Sequence, residues 1–112
     1  MARVTIELMT AAGRAVTAAT LQMPSSKPIA IAEVQSTASA QTVESGGDPV
    51  TAPTAATAIW AVAAEGGDIL VKFGTDPGLA AAAGDGWRVR DGERRTWHAS
   101  AAGEMCSVID AV

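Results

Sequence analysis

Tyrosine is missing from this chain, and phenylalanine, histidine and cysteine each occur once. The lone cysteine, Cys106, excludes a disulfide within the chain, which fits folding and assembly in a reducing compartment. Aromatics make up only 4% of the residues, so the core has few large side chains to draw on. Basic residues are scarce too, 8 against 12 acidic ones, for a net charge of −4. Phosphate recognition draws its affinity from clustered Lys and Arg. The one basic cluster here, Arg88, Arg90, Arg94 and Arg95, is interleaved with Asp91 and Glu93. A mixed-sign run of that kind reads as a solvated face of exposed ion pairs. No nucleic-acid partner is expected.

Long apolar runs are also lacking. No segment reaches the roughly 18 apolar residues of a membrane helix. The opening "MARVTIELMT" carries Arg3 and Glu7 where a signal peptide needs an unbroken apolar stretch. The expectation is a soluble chain, made in the cytoplasm, with no membrane partner.

What is present is small and apolar. The 112 residues make one domain, 48% apolar, with alanine supplying much of that share. A domain of this size buries roughly two-thirds of the surface its unfolded chain exposes. Alanine adds little, because burial free energy follows apolar area at about 25 cal/mol per Å². The expected core is Ile6, Leu8, Ile29, Ile31, Ile59, Trp60, Ile69, Val71, Phe73, Val89, Trp97, Val108 and Ile109. So thin a core is often completed by a neighbouring subunit, and a homo-oligomer is expected.

Local patterning points to an all-β fold, a small antiparallel β-sandwich or barrel-like domain with hairpins in the C-terminal half. "RVTIELM" alternates, with Val4, Ile6 and Leu8 on one side and Arg3, Thr5 and Glu7 on the other. Ala11-Ala12-Gly13 reads as a turn into a second strand, "RAVTAATLQM", and "KPIAIAEV" as a third. Residues 36–57 are rich in Ala, Ser and Thr and weakly patterned, with at most a short strand near residues 40–43. The second half reads as strands "TAIWAVAA", "DILVKFG", "WRVRD", "RRTWHAS" and "EMCSVIDAV". Between them lie Gly66-Gly67, residues 75–86, Asp91-Gly92 and Ala102-Gly103, and such turns are strong hairpin signals. In the long 75–86 loop, residues 79–83 have room for one helical turn, and nothing in it requires a ligand.

The candidates for chemistry are few. His98 and Cys106 are the only possible base and soft nucleophile. Alternation turns Trp97 and Ala99 inward and His98 outward, while Cys106 sits in an apolar strand where cysteine is usually a small core residue. A Cys–His dyad would need both side chains on one face of a cleft. Asp76, Asp85, Asp91 and Glu93 lack the dense alternating oxygen ligands of a calcium loop. "GDGWRVRDG" has the wrong glycine spacing for a dinucleotide fingerprint. No catalytic, cofactor-binding or metal-binding residue is assigned, no cofactor is expected, and the chain is read as a non-enzyme. The three tryptophans admit a carbohydrate-binding β-sandwich that stacks sugars on exposed rings. Trp60, in the most apolar strand, and Trp87 and Trp97, in adjacent strands, fit packing in a core or a subunit interface better.

The order "IWAVAAEGGDILVKFGTDP", an Ala-rich turn, "GDGW", a hairpin and then "AAGEMCSVIDA" resembles small structural proteins of tailed bacteriophages. The resemblance covers residues 55–112, roughly half of the chain, and its motifs are strand and turn signatures. It implies a virion component, foremost a decoration or cement protein on the outside of the head, with the major capsid protein as partner. Tail, neck and head-fibre components share this kind of domain and are the alternative within the virion. Under this reading, either the 36–57 segment, free to add a strand to an edge of the shell, or the N-terminal strand makes the shell contact. The rest of the domain is then expected to fold without residues 36–53.

Overall fold

The computed structural model describes residues 2–14, 22–24, 30–45, 47–53, 58–76, 79–82 and 85–111. Among them there is no helix, and the fold is all-β. In chain order the strands are β1 (Arg3–Arg14), β2 (Gln22–Pro24), β3 (Ala30–Gln35), β4 (Gln41–Thr42), β5 (Glu44–Ser45) and β6 (Asp48–Pro49). They continue with β7 (Ala58–Glu65), β8 (Ile69–Gly74), β9 (Trp87–Val89), β10 (Arg94–His98) and β11 (Met105–Asp110).

Two main sheets share one core. The first runs β10-β7-β1, and the far edge of β1 pairs with β3 along Arg3 to Leu8 and with β2 along Ala11 to Arg14. The second runs β4-β11-β8-β9, and β5 and β6 form a separate two-stranded ribbon. Every pairing is antiparallel. The alternation of β1 holds: Val4, Ile6 and Leu8 are buried beside Trp60, Val62 and Ala64 of β7. Ile69 and Val71 of β8, Val89 of β9, and Cys106 and Val108 of β11 complete the core from the second sheet. Full burial of one such aliphatic side chain is worth about 1.5–3 kcal/mol. The alanines that dilute the pattern have a place as well, since Ala32, Ala52, Ala58, Ala64 and Ala99 are all buried in the same cluster.

Several expectations change here. No turn interrupts residues 11–13, because β1 continues through them, and its register with β2 shifts between Ala11 and Gly13, as at a β-bulge. Of "RAVTAATLQM", residues 15–21 lie outside the described residues, as do Pro28 and Ile29 of "KPIAIAEV". The expected helical turn is not formed at residues 79–82, and residue 83 lies outside the described residues. That segment lies against the outer side of β11, where the Ala81 amide donates to Ser107 Oγ at 3.1 Å and both residues are buried.

The tight glycine turns are not hairpins. β7 and β10 belong to the first sheet, while β8, β9 and β11 belong to the second. The chain therefore crosses between sheets at residues 66–68, 90–93 and 99–104, with Gly92 at φ +83° in the middle crossing. The reason is visible in β7. Both its edges are taken, by β1 over eight residues and by β10 over five, so β8 has nowhere to pair beside it. Among the second-half strands, only β8 and β9 are consecutive and paired, closed by the long 75–86 loop.

The core also differs in part. Ile31 is 56% exposed, Ile59 and Ile109 are half-buried outside the core cluster, and Phe73 and Trp97 pack partly buried against it. The weakly patterned segment is not a detachable arm. Ser36, Val43, Val50 and Ala52 are each at most 5% exposed, and β4 pairs with β11. The Val43 amide donates to the Cys106 carbonyl at 2.8 Å, and the Ala52 amide donates to the Glu104 carbonyl at 2.9 Å. Residues 36–45 and 47–53 are thus packed into the body, and burial of this kind argues against the domain folding without them.

Candidate functional site

β9 and β10 diverge from the turn at residues 90–93 onto different sheets. At their far ends, by Trp87 and His98, a cleft of about 460 Å³ opens between the sheet edges. Its walls come from Lys72 and Phe73 of β8, Asp85, Gly86 and Trp87 of the following loop and strand, Trp97 and His98 of β10, and Ser100 and Glu104.

An aromatic stack forms one side of it. Trp60 and Trp97 are register partners across β7 and β10, and Phe73 reaches them from the other sheet. The ring centroids lie 5.5 Å apart for Trp60–Phe73 and 5.1 Å for Phe73–Trp97, tilted by 40° and 54°. Such tilted contacts add to what area burial alone gives. Arg95, on the same face of β10 as Trp97, extends the stack outward. Its guanidinium carbon lies 5.2 Å from the Trp97 centroid and 5.7 Å from that of Trp87. Its Nη1 also donates to the Arg88 carbonyl at 2.8 Å, which ties the edge of one sheet to the edge of the other. Trp87 itself remains 55% exposed. Gly86 beside it is required by close packing, since a Cβ there would stand 2.9 Å from the Val71 carbonyl oxygen.

The polar groups sit at two levels. On the rim, Lys72 Nζ and Asp85 Oδ2 pair at 2.6 Å. At depth, Glu104 is only 2% exposed. Its Oε1 accepts the Trp60 Nε1–H at 2.8 Å, and its Oε2 accepts the Ser100 amide at 3.1 Å and the Ser100 hydroxyl. A buried carboxylate is tolerable only with donors of this kind around it. Sequence reading passed over Glu104, although the signal was there. Cys106 and Val108 point inward, so period-two alternation sends Glu104 inward as well.

The sequence's candidate nucleophile and base do not meet. Cys106 is fully buried in the core, whereas His98 is exposed at the edge of the cleft. Burial pushes the Cys106 thiol far above its usual range, and the charge of Glu104 adds to the effect, so no thiolate forms at neutral pH. Asp68, Asp91 and Glu93 serve the turns. Asp91 Oδ1 accepts the Gly66 amide at 2.9 Å, Glu93 Oε1 the Arg90 amide at 3.1 Å, and Asp68 the Arg88 guanidinium at 2.6 Å. Among the described residues no group of three or more His, Cys, Asp or Glu is placed to hold a metal ion. Trp60, Trp87 and Trp97 part company: one is buried, one half-buried and one exposed.

Compared with protein-family models, with curated protein sequences and with solved structures, the chain matches none. Chemically, the cleft joins an aromatic surface to fixed donors and acceptors of both charge signs. That equips it to hold a ligand by stacking and hydrogen bonds.

Proposed function

We propose that this chain is a non-enzymatic structural protein of a tailed-phage virion, a decoration protein that binds the outside of the head and stabilises it. The observation that carries the reading is the resemblance over residues 55–112. The quoted stretches supply β7, β8, the start of β9, and β11, the strands that contribute much of the shared core. A decoration protein acts by mass action: binding only the assembled shell raises the stability of that state. Its work is surface contact, and this surface offers places for it. β3 is laddered only to β1 among the described residues, with β5 lying near it, and Ile31 stands 56% exposed on its outer face. In this reading the β3 edge, and not the 36–57 segment, takes the partner strand of the major capsid protein or of a second copy.

The test is add-back to particles that lack the gene. Such particles should release their genome at a lower temperature than complete ones, and purified chain should bind them and restore the difference. Ile31→Asp should fold normally and bind poorly. Particles that are equally heat-resistant with and without the chain, and that fail to bind it, would refute the role.

A further inference from the structure

The cleft between β9 and β10 has chemistry that a purely architectural role does not use. We propose that it binds a neutral saccharide, one or two rings in size, with a sugar face laid on Trp87 and hydroxyls bonded to Asp85 and to the Ser100–Glu104 pair. The inference goes beyond the virion reading and needs no particle.

Three observations carry it. First, the size fits: a volume of about 460 Å³ falls within the usual range for small-molecule sites, roughly 300–1,000 Å³. Second, Trp87 is exposed yet held in place. Arg95 braces it through its guanidinium, itself fixed by Trp97 and the Arg88 carbonyl, so the indole needs little ordering when a ligand arrives. An indole face suits the apolar C–H face of a pyranose, with its N–H left at the edge for hydrogen bonding.

Third, the charges select against charge. Lys72 lines the cleft together with Asp85 and Glu104 and pairs with Asp85 at 2.6 Å, so an anionic or a cationic ligand meets a group of its own sign. Hydroxyls both donate and accept, and so use such a mixture fully. Glu104 has an acceptor site in hand. Its Oε2 takes both Ser100 bonds, from the amide and the hydroxyl, whereas its Oε1 takes the Trp60 indole alone.

The experiment is a titration of the full chain, labelled with nitrogen-15, followed by the three indole N–H signals in two-dimensional NMR. The probes are maltose, cellobiose, lactose and N,N′-diacetylchitobiose, each to about 10 mM, which would nearly saturate a site with Kd of about 1 mM. Sialyllactose and a glucosamine disaccharide serve as charged controls. The expected result is a saturable shift of the Trp87 indole with at least one neutral probe. Weaker effects are expected at Trp97 and at Trp60, which is buried but donates its indole N–H to the Glu104 Oε1. Trp87→Ala should lose binding at least tenfold, Trp87→Phe should keep part of it, and Ile31→Asp should bind as wild type. The amide spectrum of each variant reports whether it is folded. No saturable shift with any neutral probe would overturn the proposal, as would a shift that survives in folded Trp87→Ala. Tighter binding of a charged control than of every neutral probe would overturn the charge argument. A failed titration leaves the add-back result untouched, and a failed add-back leaves the titration untouched, so the two readings fall separately.

Discussion

The two main sheets are joined along two sides, and the sides are built differently. Along β3 and β4 the crossing at residues 36–40 is latched by a buried hydroxyl. Ser36 is fully buried, and its Oγ accepts the Ala2 amide at 2.9 Å and donates to Asp110 Oδ1. The Ser36 amide donates to the Ala2 carbonyl at 2.8 Å, and the Asp110 amide donates to the Thr37 carbonyl at 2.8 Å. One residue thereby ties the first strand, the crossing and the last strand together. Along β9 and β10 the crossing at residues 90–93 holds only one end, and the other opens into the cleft. There the contacts are rings and a guanidinium, with Trp87 left exposed. The same architecture is closed where the chain needs stability and open where a ligand or partner has room. Exposed contacts at the mouth of the open side should therefore matter less to stability than the buried contacts of the closed side and of the cleft floor.

Removing residues 36–53 breaks the comparison most violently. It deletes the latch, strand β4 and the buried Val43, Val50 and Ala52, so the remaining chain should lose cooperative unfolding altogether. A sharp thermal transition in the deletion variant would show that the closed side is dispensable. Next comes Trp60→Phe, which keeps a ring in the core but leaves Glu104 without its indole donor. The expected loss in urea unfolding is about 2–3 kcal/mol, the scale of leaving a buried charged acceptor underpaired. Ser36→Ala should cost about 1–2 kcal/mol, since the Ala2 amide loses its hydroxyl acceptor. Trp87→Ala, on the open side, should cost less than about 1 kcal/mol, its loss being an exposed cation–π contact. If Trp87→Ala proved the more damaging of these two, the contrast between the sides would be reversed.

The smallest effect concerns acid. The Asp68 carboxyl is held below its ordinary value, first by the Asp91 amide and then by the Arg88 guanidinium. A lowered folded-state value contributes stability above the ordinary carboxylate range near pH 4, and that contribution fades as the pH falls through the lowered value. Asp68→Asn should therefore be slightly less stable at pH 7 and closer to wild type at pH 3, in matched urea titrations.

How much of this was legible in the sequence follows from how each strand marks its faces. β1 places every apolar residue of its first half, Val4, Ile6 and Leu8, on one side, so its orientation could be read directly. β3 could not be read this way. In "AIAEVQ" the two large residues, Ile31 and Val34, fall on opposite faces, and alanines flank Ile31. The register decides instead, pairing Ala32 with Ile6 on the core side and Ile31 with Glu7 outside. The crossings were hidden for a different reason. A glycine turn looks alike whether the next strand pairs alongside or folds over onto another sheet, and only the occupied edges of β7 determine which happens. The cleft was legible in pieces. Trp87, Trp97 and His98 stood out by rarity, while Glu104, just before β11, was passed over although its phase with Cys106 and Val108 marks it as inward, and their meeting depends on which sheet each strand joins.

The most direct test of the central claim, that this domain is built as a component of a particle, is to count it there. Particles purified from a culture that produces this chain would be quantified for it relative to their major capsid protein. The account predicts a copy number comparable to that of the capsid protein itself. A handful of copies would move the chain to the neck, tail tip or a fibre, and none at all would contradict the account.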